Sequence, residues 1–403
     1  MKRNTGVMLG LMMFLEYFVW GAWYVTMGTY MGENLDSSGV QIGAAYSSFA
    51  IATMISPFFM GMVADRYFAA QKIMGILHLV GAVLLFYASS ITGNSAFYWV
   101  ILFYALMYTP TIALSNSIAF GQMNDPGKQF PWIRVFGTIG WIVAGFFIGA
   151  YDLDKSNMTF IMAAGASALL GVISFVLPNT PPKGKAAPGS AAKALGTDAF
   201  VLFTNRPYLM FFIAAILVCI PLSFYYGFAN KFLNDVGMEN AGGKMILGQF
   251  SEGIFILAIP FLFNKIGVKN MLLLGMTAWI LRYVAFGYGD NGANQWMLYA
   301  GIILHGICYD FFFVTGYMYT EKKANPNIKS AAQGLFTFAT YGLGMFIGTY
   351  FSGFVVDHYA VGDGGHNWLG IWMVPAFIAV GVFLYFVLLF KEKRDIKEVG
   401  AKM

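Results

Sequence analysis

Residues 178–190 read PNTPPKGKAAPGS, and this stretch divides the chain into two parts of similar length. Its proline, glycine, alanine and serine are typical of a linker, and the polar break that contains it extends over 178–207. A membrane-spanning helix needs roughly 20 mainly apolar residues. Six such segments precede the linker and six follow it, so the sequence predicts twelve spanning helices, at 6–31, 40–63, 70–91, 96–120, 132–151, 157–177, 208–229, 245–264, 268–288, 295–318, 329–354 and 367–390.

The composition favours an all-α integral membrane protein. Of the 403 residues, 58% are hydrophobic and only 11% are charged, whereas soluble domains carry about 25% charged residues. The sequence has no phosphate-binding loop, nucleophile elbow or metal-ligand spacing, and its two cysteines lie inside apolar runs. We therefore expect no enzymatic activity and no cofactor. We expect no binding to nucleic acid either, because the basic residues are dispersed rather than clustered.

The distribution of basic residues predicts the orientation of the helices. If both termini and the linker are cytoplasmic, nineteen of the 24 lysines and arginines lie in cytoplasmic segments and three lie outside. This bias follows the positive-inside rule, and an odd number of spans would scramble it. The apolar run that follows Met1 is too long for the core of a signal peptide, so we expect it to be retained as the first helix.

The loop between the second and third predicted helices reads GMVADRY over 61–67. It resembles the G-x-x-x-D-R loop of the major facilitator superfamily. That resemblance and the six-plus-six pattern predict a bundle over 1–177, the cytoplasmic linker 178–207 and a bundle over 208–403, with substrate bound between the bundles. We expect Asp65 and Arg66 to act as a gate that pairs in one conformation only. A plain charged loop at the membrane surface is the alternative.

Five charged residues lie inside the apolar segments: Glu16, Arg134, Glu252, Arg282 and Asp310. A charge inside a bilayer costs at least about 2.5–3.5 kcal/mol on insertion scales, so such residues usually mark a path for ions or substrates. Both signs occur, and both halves of the chain contribute. This pattern predicts a proton-coupled carrier with its site between the halves.

The fifth predicted helix carries Arg134, Thr138 and Trp141 at i, i+4 and i+7. This spacing places the three side chains on one helix face. A guanidinium, a hydroxyl and a broad aromatic ring suit a hydroxylated ring ligand, which needs hydrogen bonds at its edge and stacking on its face. The alternative is that Arg134, only three residues after Pro131, extends to the lipid headgroups.

The eighth and tenth predicted helices carry polar clusters. Gln249 and Glu252 share a face of the eighth, and the tenth has His305, Tyr309 and Asp310. We expect Glu252 and Asp310 to form the proton-coupling pair, because a buried carboxyl can take up and release a proton. The alternative is a fixed ion pair between Asp310 and Arg282, and His305 either joins the substrate site or makes a helix contact.

Three further positions, Pro221, Glu16 and His78, also lie within apolar helices. Pro221 is expected to break the seventh helix and to leave a polar, aromatic patch that includes Ser223 and Tyr226, because broken helices commonly line cavities. Glu16 is either a further proton site or a hydrogen-bond partner of a neighbouring helix. His78, on a largely apolar helix, is expected to be a packing residue.

Several longer stretches resemble the nucleoside–proton symporters, the family of the bacterial nucleoside and xanthosine permeases. Among them are FVWGAWYVTMGTYM (18–31), IRVFGTIGW (133–141) and GICYDFFFVTG (306–316). The resemblance implies a monomer in the cytoplasmic membrane of a bacterium that imports a nucleoside with protons. A proton-coupled sugar or glycoside symporter is one alternative, because RVFGTIGW also resembles the fifth helix of lactose permease. A membrane sensor of the same fold is the other.

By motif position, the resemblance implies a set of site residues. Nucleoside would contact Arg134, Thr138, Trp141, Gln249, Glu252 and Tyr309, and Asp310 would be the proton-linked acid. Three positions, on two of the helices, depart from the family. Ser223 and Tyr226 align with a glutamine and an asparagine of its nucleoside permease, and Glu16 aligns with a glutamine.

Overall fold

The computed structural model describes residues 3–59, 68–181, 197–326 and 328–391. In this part of the chain the fold is almost entirely helical. The first seven helices are α1 (Arg3–Gly21), α2 (Met27–Asn34), α3 (Gly39–Phe59), α4 (Ala70–Ala88), α5 (Asn94–Gly121), α6 (Pro126–Ala150) and α7 (Met158–Ser174). We call them the N-terminal helices.

The C-terminal helices begin after a 3₁₀ segment at Thr197–Thr204. Two π-helical stretches, Asp310–Val314 and Phe338–Gly344, interrupt them. A short antiparallel pair, β1 (Ala360–Val361) and β2 (Gly365–His366), precedes the last helix. The C-terminal helices are α8 (Arg206–Asp235), α9 (Ala241–Tyr288), α10 (Gln295–Ile303), α11 (His305–Tyr309), α12 (Thr315–Lys323), α13 (Lys329–Thr337), α14 (Met345–His358) and α15 (Trp368–Leu389).

The predicted all-α membrane fold is confirmed. Nine helical stretches of the described chain are long and apolar enough to cross a membrane. Helix α7 is a shorter apolar helix, α3 corresponds to the second predicted span, and α1 with α2 corresponds to the first. The count of twelve spans is consistent with this arrangement. The eighth and ninth spans form one element, α9, divided at Gly267, whose φ of 78° is a conformation that favours glycine.

The first span is interrupted by a turn at 22–26, although the sequence predicts a continuous helix there. Tyr46 of α3 compensates for the interruption. Its hydroxyl donates to the carbonyl of Tyr24 at 2.6 Å and accepts from the N–H of Gly28 at 3.2 Å. A side chain of a neighbouring helix therefore satisfies backbone groups that a buried break would otherwise leave unpaired.

The prediction that Pro221 breaks the seventh span is wrong. Helix α8 is continuous from Arg206 to Asp235 and contains Pro221. The hydroxyl of Tyr283, from α9, donates to the carbonyl of Pro221. The hydrogen bond that Pro221 cannot make would have ended at the carbonyl of Leu217, so the Tyr283 contact does not replace that bond but ties α8 to α9 next to the proline.

The N-terminal and C-terminal helices meet tightly at one end of the molecule, which we call the closed end. There α3 packs on α14, α6 on α9 and α2 on α8. Glycines allow the approach: a β carbon built on Gly43 would lie 2.2 Å from the carbonyl oxygen of Thr349, and one on Gly28 would lie 2.2 Å from that of Gly227. The first helix, α1, begins toward the opposite end, and the last helix, α15, ends there. Both termini of the described chain therefore lie away from the closed end.

Polar contacts also hold the closed end together. Asp357, at the end of α14, accepts from the backbone N–H groups of Gly39 and Val40 at the start of α3. A carboxylate is stabilised at a helix N-terminus by the free N–H groups and the helix dipole. Because these partners belong to different sets of helices, the contact exists only while this end is closed.

A buried amide makes a second bridge at the closed end. Asn230 of α8 accepts from the Thr29 hydroxyl at 2.5 Å and donates to the Asp154 carboxylate at 2.5 Å. Thr29 and Asp154 lie among or next to the N-terminal helices, and all three side chains are buried. Opening this end would therefore require water to replace these hydrogen bonds.

Gly43→Ala should destabilise the closed end, because the added methyl group meets the Thr349 carbonyl. We expect a cost of about 1–3 kcal/mol, and 1.4 kcal/mol is tenfold in an equilibrium. The measurement is the rate at which a thiol reagent labels a cysteine introduced at Val356, a buried position of α14 that faces the start of α3. Opening of the closed end exposes this thiol, so the Gly43→Ala protein should be labelled faster.

The matched control is Gly165→Ala, where an added β carbon has nothing within 4 Å. Both substitutions gain the same helix propensity, so their difference isolates the contact across the closed end. Equal labelling rates of the cysteine at position 356 in the two variants would show that the glycine at position 43 is not needed for closure.

Candidate functional site

A cavity of about 520 Å³ lies between the N-terminal and the C-terminal helices. Sites for small molecules have volumes of about 300–1,000 Å³. The wall draws on α1, α3, α5 and α6 from one side and on α8, α9 and α11 to α14 from the other. Among the described residues, two charged side chains line it, one from each side: Arg134 and Glu252.

Helix α6 presents the face that the spacing predicts. Arg134, Thr138 and Trp141 all line the cavity. The guanidinium carbon of Arg134 lies 4.0 Å from the centre of the Tyr17 ring, a cation–π contact with α1. A β carbon on Gly137 would lie 2.6 Å from the Tyr17 ring and 2.8 Å from Arg134 Nη1. The glycine therefore leaves the space in which Arg134 lies over Tyr17.

The C-terminal side of the wall contains Gln249, Glu252, Tyr309 and Tyr226. The Glu252 side chain is 25% exposed, and Arg134 lies near enough to influence it electrostatically. The described residues contain no ion pair within 4.0 Å between the two. The cavity therefore holds a cation and an anion that face a shared space without neutralising each other by contact.

Two residues expected at the substrate site are not at the cavity wall. Ser223 is fully buried and its hydroxyl donates to the carbonyl of Ile220 at 2.6 Å. It faces α14, where a β carbon on Gly348 would lie 2.8 Å from its oxygen. His305 is 1% exposed and lies behind Glu252, with Nε2 at 3.8 Å from Oε2. Neither side chain lines the cavity. For His305 this matches the alternative of a helix contact, and the wall gives no support to the substrate contact expected of Ser223.

Asp310 is fully buried at the start of the π-helical stretch. Neither carboxyl oxygen has a hydrogen-bond partner among the described residues. The alternative ion pair with Arg282 is not formed, because the guanidinium of Arg282 instead contacts His305 and lies over the ring of Tyr225. Short π segments occur frequently at functional sites, and Glu252 lies near enough to Asp310 to influence it electrostatically.

The sequence did not single out many of the cavity residues. They are uncharged and belong to apolar helices, so no stranded charge marks them. One visible signal was the pair Thr53 and Ser56, one turn apart on the apolar helix α3. The wall residues that sequence reasoning missed include Tyr17, Trp20, Tyr24, Tyr46, Thr53, Ser56, Thr109, Asn116, Tyr317, Thr337 and Tyr341.

The family model described as "Nucleoside H+ symporter" matches residues 3–395.

The chain belongs to the nucleoside H+ symporter family.

Relatives from Escherichia coli (strain K12) cover nearly the whole chain. The putative nucleoside transporter YegT is 41% identical over 405 residues, 96% of this chain and 94% of the relative. The xanthosine permease is 38% identical over 411 residues, 98% of each chain. The crystal structure of the nucleoside transporter NupG superposes with a TM-score of 0.89 at 34% identity, covering 97% of this chain and 100% of that one.

Membership of this symporter family confirms two predictions. The chain is a multi-pass membrane transporter, and it is not an enzyme. The resemblance drawn from the sequence motifs is confirmed as well. The expected gate residues, Asp65 and Arg66, lie outside the described residues.

The symporter contains another buried acid, Glu16, which does not line the cavity. Its Oε2 lies 2.9 Å from Nε2 of His78, and its Oε1 lies 2.7 Å from the Thr111 hydroxyl oxygen, whose single proton is shared with the Tyr108 carbonyl at 2.6 Å. Nδ1 of His78 lies 3.0 Å from the Ser167 hydroxyl oxygen. The four side chains are buried, and they join α1, α4, α5 and α7.

The hydrogen bonds limit where protons can lie in this network. The Ser167 hydroxyl donates to the His78 carbonyl at 2.9 Å, so its oxygen accepts from the Nδ1–H of His78. One further proton is then shared between His78 Nε2 and Glu16, and the pair is neutral overall wherever that proton lies. Releasing it would leave an uncompensated buried charge. The geometry therefore favours Glu16 as a link between helices, and it gives His78 a polar role in place of the expected packing role.

Glu16→Gln should preserve both stability and proton-driven uptake. The amide oxygen can accept from Thr111, and the amide N–H can donate to Nε2 of a neutral His78. Glu16→Leu should lower the free energy of unfolding by about 3–5 kcal/mol, because it leaves buried polar partners unpaired. Thermal melting in detergent and uptake in proteoliposomes measure the two effects. Loss of accumulation by a stable Gln variant would instead identify Glu16 as a proton carrier.

Proposed function

We propose that this member of the symporter family imports nucleosides together with protons by alternating access. The proposal includes a location in the cytoplasmic membrane of a bacterium, cytoplasmic termini and a monomeric state. The moving units would be residues 1–177 and 208–403, joined by the linker 178–207. With cytoplasmic termini, the closed end would face outward and the cavity would communicate with the cytoplasm. Asp65 and Arg66 would then belong to the inner gate.

The observation that carries this proposal is the pairing of opposite charges with aromatic rings in one cavity. A nucleoside combines a ribose with hydroxyl donors and acceptors, and a flat base with a polar edge. Glu252 and Gln249 can accept hydrogen bonds from hydroxyls or from a base edge, and the Arg134 guanidinium donates them. Trp141 offers a face for stacking. Thr138, Tyr226 and Tyr309 add hydroxyls around the same space.

The proton site of this proposal is Asp310, with Glu252 as its partner. An ionised carboxylate without a partner in an apolar surrounding is costly, and a proton on the group removes that cost. Asp310 lies next to Tyr309, which lines the cavity. Protonation of Asp310 and occupation of the cavity can therefore influence each other through two adjacent residues, Tyr309 at the end of α11 and Asp310 at the start of the π-helical stretch.

Uptake of radiolabelled uridine and adenosine into proteoliposomes tests the function. We expect accumulation with an inward proton gradient and only equilibration without one. A competition panel of nucleosides, free bases and sugars separates the nucleoside symporter from a sugar or glycoside symporter. Inhibition by sugars but not by nucleosides would contradict the proposed substrate. Binding without any translocation would indicate a sensor.

Asp310→Asn should abolish proton-driven accumulation, because asparagine keeps the volume of the side chain but cannot exchange a proton. Exchange of labelled for unlabelled nucleoside across the membrane should persist, because this step needs no net proton movement. Both assays use the same vesicles, so exchange serves as the control for folding and insertion. Uphill accumulation at the wild-type level by this variant would exclude Asp310 as the coupling acid.

A further inference from the structure

We propose that His305 is a positioning residue that keeps the Glu252 carboxylate available to substrate, and that Arg282 fixes the tautomer in which it does so. The inference rests on the proposed function of the cavity, in which Glu252 is a substrate ligand. It assigns His305 neither a contact with substrate nor a part in carrying the proton.

Three side chains form a line from the cavity wall into the protein. Glu252 lines the cavity, and its Oε2 lies 3.8 Å from Nε2 of His305. Nδ1 of the same imidazole lies 3.1 Å from Nη1 of Arg282. His305 is 1% exposed and Arg282 is fully buried. The line therefore connects the carboxylate of the site to a cation that solvent and substrate do not reach.

The chemistry of Arg282 decides which imidazole nitrogen carries a proton. A guanidinium has only donors and keeps its charge in proteins. In the contact with His305, Nη1 must donate and Nδ1 must accept. The proton of the neutral imidazole is then on Nε2, the nitrogen nearest to Glu252. A second proton would have to be placed on Nδ1, against the guanidinium, which would remove a hydrogen bond and add a like charge.

The same geometry excludes His305 as a proton relay from Glu252. Nε2 already carries its proton, so it can donate to the carboxylate but cannot accept from it. The other titratable side chains packed around the imidazole are Tyr225, Tyr226 and Tyr309, which are neutral at ordinary pH in their unperturbed form. A proton that leaves Glu252 must therefore leave by way of the cavity or of Asp310.

Packing fixes the plane of the imidazole, and the contact with Arg282 determines which nitrogen faces Glu252. Its ring stacks on Tyr225 with centroids 5.0 Å apart and an interplanar angle of 26°. The Arg282 guanidinium lies 3.4 Å from the centre of the same Tyr225 ring. A β carbon on Gly306 would lie 2.4 Å from the backbone of Ser251, so α11 and α9 are in close contact beside Glu252. The donor is thus held at a fixed place behind the carboxylate.

Arg134 and substrate compete for the carboxylate of Glu252, and His305 affects this competition. Arg134 attracts the carboxylate from the N-terminal side of the cavity, and a direct ion pair between them would occupy the atoms that substrate needs. The 3.8 Å separation from His305 is longer than a direct hydrogen bond. Glu252 is partly exposed, so in the proposed arrangement a rotation of its side chain brings the carboxylate within hydrogen-bond distance of Nε2 when the site is in use. An N–H on the opposite side therefore balances the pull of Arg134 and leaves both charged groups free to bind a ligand.

Two amide substitutions separate the two nitrogens of the imidazole. Glutamine reaches the position of Nε2, so His305→Gln can still donate to Glu252 but loses the acceptor for Arg282. Asparagine reaches only the position of Nδ1, so His305→Asn keeps the acceptor and loses the donor. Both side chains are neutral and neither exchanges a proton, so the pair differs mainly in which contact survives.

The experiment measures nucleoside uptake by each full-length variant in proteoliposomes, with KM and the maximal rate determined separately. We expect His305→Asn to raise KM by about tenfold or more, the effect of losing a hydrogen bond to a charged group. His305→Gln should raise KM less than about threefold. Both variants should retain proton-driven accumulation. Melting temperatures in detergent check that each variant is folded.

Three results would overturn the inference. Equal KM values for the two variants and the wild type would show that the donor to Glu252 is unimportant. Loss of accumulation in both variants with exchange retained would identify His305 as a proton carrier. Equal increases in KM that follow a fall in melting temperature would indicate a purely structural role. Absence of nucleoside uptake by the wild-type protein would be a different result, because it contradicts the proposed function itself.

Discussion

The site depends on one electrostatic constraint: Arg134 and Glu252 face the same cavity from opposite sets of helices without forming an ion pair. Opposite charges in a weakly polar space attract strongly, so other contacts must hold them apart. The ring of Tyr17 holds the Arg134 guanidinium on one side. On the other side, His305 lies behind Glu252. The closed end fixes the distance between the two sets of helices.

The remaining buried charges differ in how completely they are satisfied, and the difference matches their roles. Glu16 has a partner for each oxygen and forms a neutral pair with His78, which suits a permanent link among the N-terminal helices. Asp310 has no hydrogen-bond partner among the described residues, which suits a group whose protonation changes. Arg282 is buried like Asp310, but its contacts with His305 and Tyr225 use its charge to orient another side chain.

The sequence predicted the fold and the α6 face of the site because both follow from simple periodicities. Apolar length determines where spans occur, and the spacing of Arg134, Thr138 and Trp141 puts them on one face in any α-helix. The rotation of α8 decides which of its residues face the cavity, and the sequence could not determine it because the helix is apolar on nearly all sides. Tyr226 lies at the cavity as expected, whereas Ser223 faces α14. The position of His305 depended on contacts between α9 and α11, which a single helix pattern does not contain.

Coupling between nucleoside and proton is the central claim, and proton movement tests it most directly. Proteoliposomes loaded with a pH-sensitive dye, with the membrane potential clamped by potassium and valinomycin, receive nucleoside from outside without any imposed proton gradient. The account predicts that the interior becomes more acidic when nucleoside is added, and that the Asp310→Asn protein gives no such signal. Nucleoside entry by the wild-type protein without internal acidification would contradict the account.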